Sequence, residues 1–176
     1  MRIGITGTHG VGKTTLVNEL EKYTDHQIIK EIARRYPRGI NENPVTEINR
    51  QLDIFHAQME EELNNNIGFV SDRTTIDNAA YMIYTLREYM NDLSLKDIVL
   101  VINNIYLAIN NMSEYDVIFY IPIEFPCEDD GFRDTDEQYR QEIDFIIDTL
   151  LMEFRNTITG TVEERVKKVL EILNDN

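Results

Sequence analysis

The sequence predicts an α/β domain built on a mostly parallel sheet, and three observations carry the prediction. Short apolar runs alternate with long amphipathic segments. The 176 residues suit one domain with a core large enough to fold alone. A glycine-rich turn joins the first apolar run directly to a helical segment. An apolar content of 42% excludes a disordered chain, and no repeat or low-complexity tract interrupts the pattern.

In chain order, strands are expected at Arg2 to Thr6, Gln27 to Lys30, Ile67 to Ser71, Val117 to Ile121 and, weakly, near Asn156 to Thr159. A helix is expected from Lys13 through Tyr23. Ile48, Leu52, Phe55, Met59 and Leu63 share one face of the next helix, and Ile76, Ala79, Ala80, Ile83 and Met90 share a face of another. A third stripe runs Tyr139, Ile143, Ile146, Ile147, Leu150, Leu151 and Phe154. The last runs Val162, Val166, Val169, Leu170 and Leu173, opened by Thr161 and Glu164 at capping-box spacing. All four stripes read as core faces. Long connections follow the second strand (Tyr36 to Pro44) and the fourth (Pro122 to Asp136). Both leave the carboxyl ends of strands, where open α/β sheets bind ligands.

Composition excludes several classes. The balance of 17 Lys and Arg against 32 Asp and Glu gives a net charge of −15, which argues against a large nucleic-acid footprint and against anionic membranes. It leaves room for a locally basic nucleotide cleft. The single cysteine, Cys127, cannot form an internal disulfide, and three scattered histidines make no metal cluster. No apolar run reaches the roughly 18–20 residues of a membrane span, and no signal-peptide pattern opens the chain. A cytoplasmic enzyme, monomeric or homodimeric, is expected.

Gly7-Thr8-His9-Gly10-Val11-Gly12-Lys13-Thr14 fills the eight-residue P-loop pattern, with a strand before it and a helix after it. The glycines allow turns that a Cβ would block, so successive N–H groups converge into an anion nest at a helix N-terminus. Gly7, Gly10, Val11, Gly12, Lys13, Thr14 and Thr15 are therefore the expected donor-nucleotide cradle. In it Lys13 supplies a cation to the β- and γ-phosphates, and Thr14 a hydroxyl to Mg²⁺. His9 occupies a variable position and reads as a solvent-facing filler.

The chemistry must come from across the cleft. Asp72 leaves the third strand where P-loop proteins hold Mg²⁺ or its water, and Arg73 beside it suits a phosphate. Glu31, at the end of the second strand, suits a base for a substrate hydroxyl. Arg34 and Arg35 suit a phosphorylated acceptor, only one of them touching ligand. Arg133, next to Gly131, is the first candidate for a lid arginine that meets transition-state charge, and Arg140 the second.

Together these segments resemble the compact NadR-type nucleoside kinases, a branch of the P-loop nucleoside and nucleotide kinase superfamily related to thymidylate kinases. The resembling segments are Gly7 to Thr15, Glu31-Ile32-Ala33-Arg34, Ser71 to Asp77, Asp129-Asp130-Gly131-Phe132-Arg133 and Gly160 to Val166. The resemblance implies one P-loop NTPase domain over residues 1–176, with a five-stranded parallel sheet in order 2-3-1-4-5, helices on both faces and a lid at about 126–140. It implies ATP as donor, Mg²⁺ as cofactor, adenine near Gly160 and Thr161, and an acceptor cleft formed by Glu31, Arg34, Asp72, Arg73 and the helix starting near Asp77. The sequence has no tryptophan, so base stacking falls to Tyr36, Phe55, Tyr81 or Tyr84.

The expected activity is transfer of the γ-phosphate of ATP to a nucleoside or nucleoside monophosphate, the arginines tilting the balance toward the monophosphate. Two other readings keep the P-loop: a kinase acting on a nucleic-acid hydroxyl, and a nucleotide-gated NTPase or interaction module.

Overall fold

The computed structural model describes residues 1–37, 43–65, 67–126 and 136–174, with the side chain of Glu153 excepted. The first strand, β1 (Arg2–Thr6), lies at the centre of the sheet. It pairs in parallel with β3 (Phe69–Asp72) on one side and β4 (Val117–Tyr120) on the other, so that Ile5 stands level with Asp72 and Phe119. β2 (Gln27–Ile29) extends the sheet beyond β3, and β5 (Arg155–Thr157) beyond β4. The order β2-β3-β1-β4-β5 is the one expected. Asp72 belongs to β3 itself, one residue beyond the expected strand, so the sheet directly fixes its backbone.

Local chemistry sets the helix starts. α1 (Lys13–Leu20) leaves the glycine turn and ends three residues before the expected Tyr23. Asn43 caps α2 (Pro44–Asn64), its side chain accepting from the Thr46 N–H at 3.0 Å, with Pro44 at the first helical position. Thr74 and Asp77 form the capping box of α3 (Thr75–Tyr89). Asp136 accepts from the N–H groups of Gln138 and Tyr139 to open α5 (Glu137–Leu151), with α4 described below. The expected Thr161–Glu164 box opens α6 (Val162–Asn174), with both reciprocal bonds present.

No element is expected between α3 and β4, yet Leu95–Asn110 forms α4, capped by Ser94. Only Val101, Asn104 and Ala108 of α4 are buried, while Leu95, Val99, Leu100, Ile102, Tyr106 and Leu107 are exposed. A stripe of Ile98, Val101, Ile105 and Ala108 packs inward, but the exposed apolar residues on the other face mask it in the sequence. The expected stripes also overrun the core: Leu63, Met90 and Phe154 are exposed at or beyond helix ends. The core has two faces. α1 and α6 cover one side of β1, β3 and β4 through Leu16, Val17, Leu20, Val166 and Val169. On the other side Ile54, Ile76, Ala80, Ile143 and Ile147 of α2, α3 and α5 pack on the sheet, with α4 outside α2 and α3.

A polar strut crosses this second layer. Glu62 of α2 is buried, and its carboxylate accepts from Tyr115 Oη at 2.5 Å, Gln58 Nε2 at 2.7 Å and Asn111 Nδ2 at 3.1 Å. Tyr115 Oη in turn accepts from the Thr75 N–H at 3.1 Å, tying the start of α3 in place. Burial raises the Glu62 carboxyl above its ordinary value, and the three donors only partly offset this. A carboxyl whose folded pKa is raised contributes stability below its unfolded value, lost as pH rises through the folded one. Wild type should therefore lose stability relative to Glu62→Gln as pH rises from about 4.5 to about 7.5. The loss is ~1.4 kcal/mol for every pH unit by which the folded pKa exceeds the unfolded one. Urea titrations at both pH values check this, and a constant difference would show that Glu62 titrates normally.

Candidate active site

β1 ends at Thr6, and the chain must turn sharply to enter α1. At Gly7 φ is 144°, and a Cβ there would lie 2.4 Å from the Ile121 carbonyl oxygen. Gly12, the α1 N-cap, has φ 92°, so its conformation also favours glycine. Lys13 lies inside this turn, 4% exposed, and its ammonium donates to the carbonyls of Gly7 at 2.7 Å and Thr8 at 2.6 Å. Burial lowers the Lys13 pKa to about 8, with Arg73 adding repulsion against the pull of Asp77, Asp72 and Glu31. Val11 is buried beneath the loop, and Thr15 is exposed at the start of α1.

The Thr14 hydroxyl donates to Asp72 Oδ2 at 2.5 Å. Asp72 is buried, which raises its pKa, and among the described residues its Oδ1 has no hydrogen-bond partner. A hydroxyl beside a buried carboxylate with an unused oxygen fits Mg²⁺, which takes one or two protein ligands plus phosphate oxygens and water. No group of three His, Cys, Asp or Glu suited to an all-protein metal cage occurs among the described residues.

Across the cleft, Arg73 has φ 97°, a conformation rarely adopted by a residue with a side chain. Its surroundings hold it there. Its N–H donates to the Ile5 carbonyl at 3.0 Å, and its guanidinium pairs with Glu31 Oε1 at 2.9 Å and Asp77 Oδ1 at 3.3 Å. The guanidinium also lies 5.2 Å from the centroid of the Tyr81 ring. Glu31 is buried at the end of β2, and its Oε2 accepts from Arg34 Nε at 2.9 Å. Arg35 turns away to Glu61 of α2 at 2.7 Å. Of the two neighbouring arginines, only Arg34 is held by a site carboxylate.

Several expectations are corrected by tertiary contacts. Asp77 is fully buried, and besides Arg73 it accepts from Thr6 Oγ1 at 2.8 Å, the Thr74 N–H at 2.8 Å and Thr74 Oγ1 at 3.0 Å. It anchors Arg73 and the α3 N-terminus rather than reaching an acceptor. Arg140 is not a lid cation in this structure. It is 0% exposed and donates to the carbonyls of His9, Gly10 and Phe125. His9 is not a solvent-facing filler: it is 4% exposed, its Nδ1 3.1 Å from Tyr81 Oη and its ring against Tyr139. Phe55 is buried among Ile48, Leu52 and Met82, enclosed in the core, whereas Tyr81 and Tyr84 pack around Tyr139 beside the loop. Arg133 and Cys127, with the Asp129 to Arg133 segment, lie outside the described residues.

The Gly160–Thr161 turn is tied to the P-loop by residues to which the sequence assigns no role. Glu124 accepts from the Gly160 N–H at 3.0 Å and from Arg165 Nη2 at 2.6 Å, and Arg165 Nη1 donates to the Val11 carbonyl at 2.7 Å. The available signal for Arg165 is its place beside Val166 on the apolar stripe of α6, where a buried arginine requires polar partners.

A glycine-lined phosphate cradle with a lysine, a paired threonine and aspartate, and a buried ion cluster opposite defines a P-loop nucleotide-binding protein. The chain belongs to the AAA domain family, whose sequence profile matches residues 2–165. No curated protein matches it in sequence. Among solved structures it is similar to a deoxyadenosine kinase from M. mycoides with bound dCTP, at a TM-score of 0.76 and 18% identity over 100% of both chains. It is also similar to the NadR protein in complex with NR, at a TM-score of 0.73 and 19% identity over 98% of this chain and 50% of that one. The fold is thus that of P-loop nucleoside kinases, with the chain spanning half of NadR. Among the described residues no helix is long and apolar enough to cross a membrane.

Proposed function

We propose that this protein is a Mg²⁺- and ATP-dependent phosphotransferase whose acceptor is a nucleoside hydroxyl. The observation that carries the reading is the buried Glu31–Arg73–Asp77 cluster facing the P-loop. Two carboxylates neutralise Arg73, so the guanidinium that would clamp an acceptor phosphate is already matched in charge. This favours an uncharged acceptor over the monophosphate toward which the arginine count points. A deoxyadenosine kinase and an NR-bound NadR among the structural neighbours support it.

In this reading the P-loop N–H groups and Lys13 bind the donor phosphates, with adenine near Gly160 and Thr161. Glu31 accepts the proton of the acceptor hydroxyl as its oxygen attacks the γ-phosphorus. The bond from that phosphorus to the β–γ bridging oxygen breaks, and ADP leaves. Thr14 and Asp72 would hold the Mg²⁺ that neutralises charge on the β- and γ-phosphate oxygens. Asp72→Asn should lower turnover about a hundredfold and raise the Mg²⁺ concentration required, with a much smaller effect on ATP affinity. Initial rates across a Mg²⁺ series check this, and an unchanged Mg²⁺ requirement would remove Asp72 from the metal site.

The deciding experiment incubates the protein, ATP and Mg²⁺ with each common nucleoside and each (deoxy)nucleoside monophosphate and separates products by mass. A new monophosphate supports the proposal, and a new diphosphate assigns a nucleotide acceptor instead. No product from any of them, with ATP still bound, transfers the protein to the macromolecular-acceptor or nucleotide-gated reading. One observation favours the monophosphate arm: the Arg34 side chain keeps 45% of its surface exposed beside Glu31.

A further inference from the structure

Three successive P-loop carbonyls, those of His9, Gly10 and Val11, accept hydrogen bonds from two buried arginines. From α5, Arg140 donates through Nε to His9 O at 3.1 Å and through Nη2 to Gly10 O at 3.4 Å. From α6, Arg165 donates through Nη1 to Val11 O at 2.7 Å. Each guanidinium is itself held from behind. Arg140 Nη1 donates to the Phe125 carbonyl at 2.8 Å and pairs with Glu137 at 3.2 Å, and Arg165 Nη2 pairs with Glu124 at 2.6 Å. Arg140 is 0% and Arg165 3% exposed, so neither position tolerates an idle charge.

A trans peptide is planar, and its C=O points opposite to the N–H of the following residue. Fixing the carbonyls of residues 9, 10 and 11 therefore fixes the directions of the N–H groups of Gly10, Val11 and Gly12. Those are the amides that a P-loop offers to phosphate. We propose that Arg140 and Arg165 are positioning residues for the phosphate donor, bracing the outer side of the loop so that these three amides are aimed before nucleotide arrives. A charge-assisted bond to each carbonyl also polarises its peptide and strengthens the N–H on the far side as a donor. Glu124 extends the brace to Gly160, joining the phosphate cradle to the turn where adenine is expected.

The inference rests on phosphate binding at the P-loop and not on any acceptor, so it can fail or hold independently of the kinase screen. The test measures tripolyphosphate binding with Mg²⁺ by calorimetry, for wild type, Arg140→Lys, Arg165→Lys and Arg165→Gln, alongside thermal melts. Lysine keeps the charge but lacks the planar fork. Both lysine variants are expected to fold and to bind tripolyphosphate roughly tenfold more weakly, with the Gly10, Val11 and Gly12 amide resonances shifted in the ligand-free protein. Wild-type affinity in the lysine variants would overturn the proposal, since a bare cation would then suffice. A lowered melting temperature with unchanged affinity would overturn it too, reducing the arginines to structural anchors. For Arg140, unchanged donor affinity with reduced turnover alone would instead assign it to transition-state charge. If Arg165→Gln does not fold, the lysine variants carry the test.

Discussion

Lys13→Ala should lose phosphoryl transfer by about 10³-fold or more while the protein still folds. The ammonium is enclosed by the glycine turn and donates to the Gly7 and Thr8 carbonyls. It is the P-loop cation available to the β- and γ-phosphate oxygens, where charge develops in the transition state. Removing one preorganised donor from such a site costs ~10²–10³ in rate, and here a full charge is lost as well. Burial holds the Lys13 pKa down to about 8, so the folded protein gains little from keeping this group protonated. Alanine takes the donor from the buried Gly7 and Thr8 carbonyls, a cost of about 1–3 kcal/mol, but also removes a buried charge, so the melting temperature should change little. Steady-state kinetics alongside a thermal melt checks both halves. Near-normal turnover would remove the P-loop from the mechanism.

Arg73→Ala is expected to have the largest effect on stability. It removes the guanidinium from the buried Asp77 and leaves the buried Glu31 with Arg34, and an uncompensated buried charge costs ~3–5 kcal/mol. The backbone adds a second, separable effect. At φ 97° any side chain carries strain of ~1–3 kcal/mol, which glycine avoids. Arg73→Gly should thus be more stable than Arg73→Ala, although both lose the same ion pairs and, on the proposed reading, acceptor phosphorylation. Urea denaturation of the three proteins separates the effects. Equal stability of wild type and Arg73→Ala would show that the carboxylates need no cation. Equal stability of the two variants would show that the backbone at Arg73 is unstrained. Strain of this kind at a buried site residue fits a preorganised cluster, because it persists only where neighbouring contacts over-determine the conformation.

The amino-acid sequence by itself determined the phosphate cradle and the start of α6, whose geometry depends on near neighbours. Strand, glycine spacing and helix made the phosphate cradle legible at Gly7 to Thr14, since positive φ and converging N–H groups are local backbone properties. Thr161 and Glu164 announced the start of α6 for the same reason. Thr14 and Asp72 were readable as a pair because the motif fixes one and the end of a central strand fixes the other. Helix α4 was not read, because apolar residues exposed on its outer face mask the inward stripe of Ile98, Val101, Ile105 and Ala108. Tertiary structure alone decided the fates of the arginines and of His9. Arg73 meets a glutamate 42 residues away, Arg140 a carbonyl 131 away and Arg165 a carbonyl 154 away. Lying on the apolar stripes of α5 and α6 marks Arg140 and Arg165 as inward-facing, but no local pattern says which carbonyls will enclose them. That choice is made by the strand order, which brings the ends of β2, β3 and β4 around the loop after β1 and surrounds each guanidinium with its acceptors.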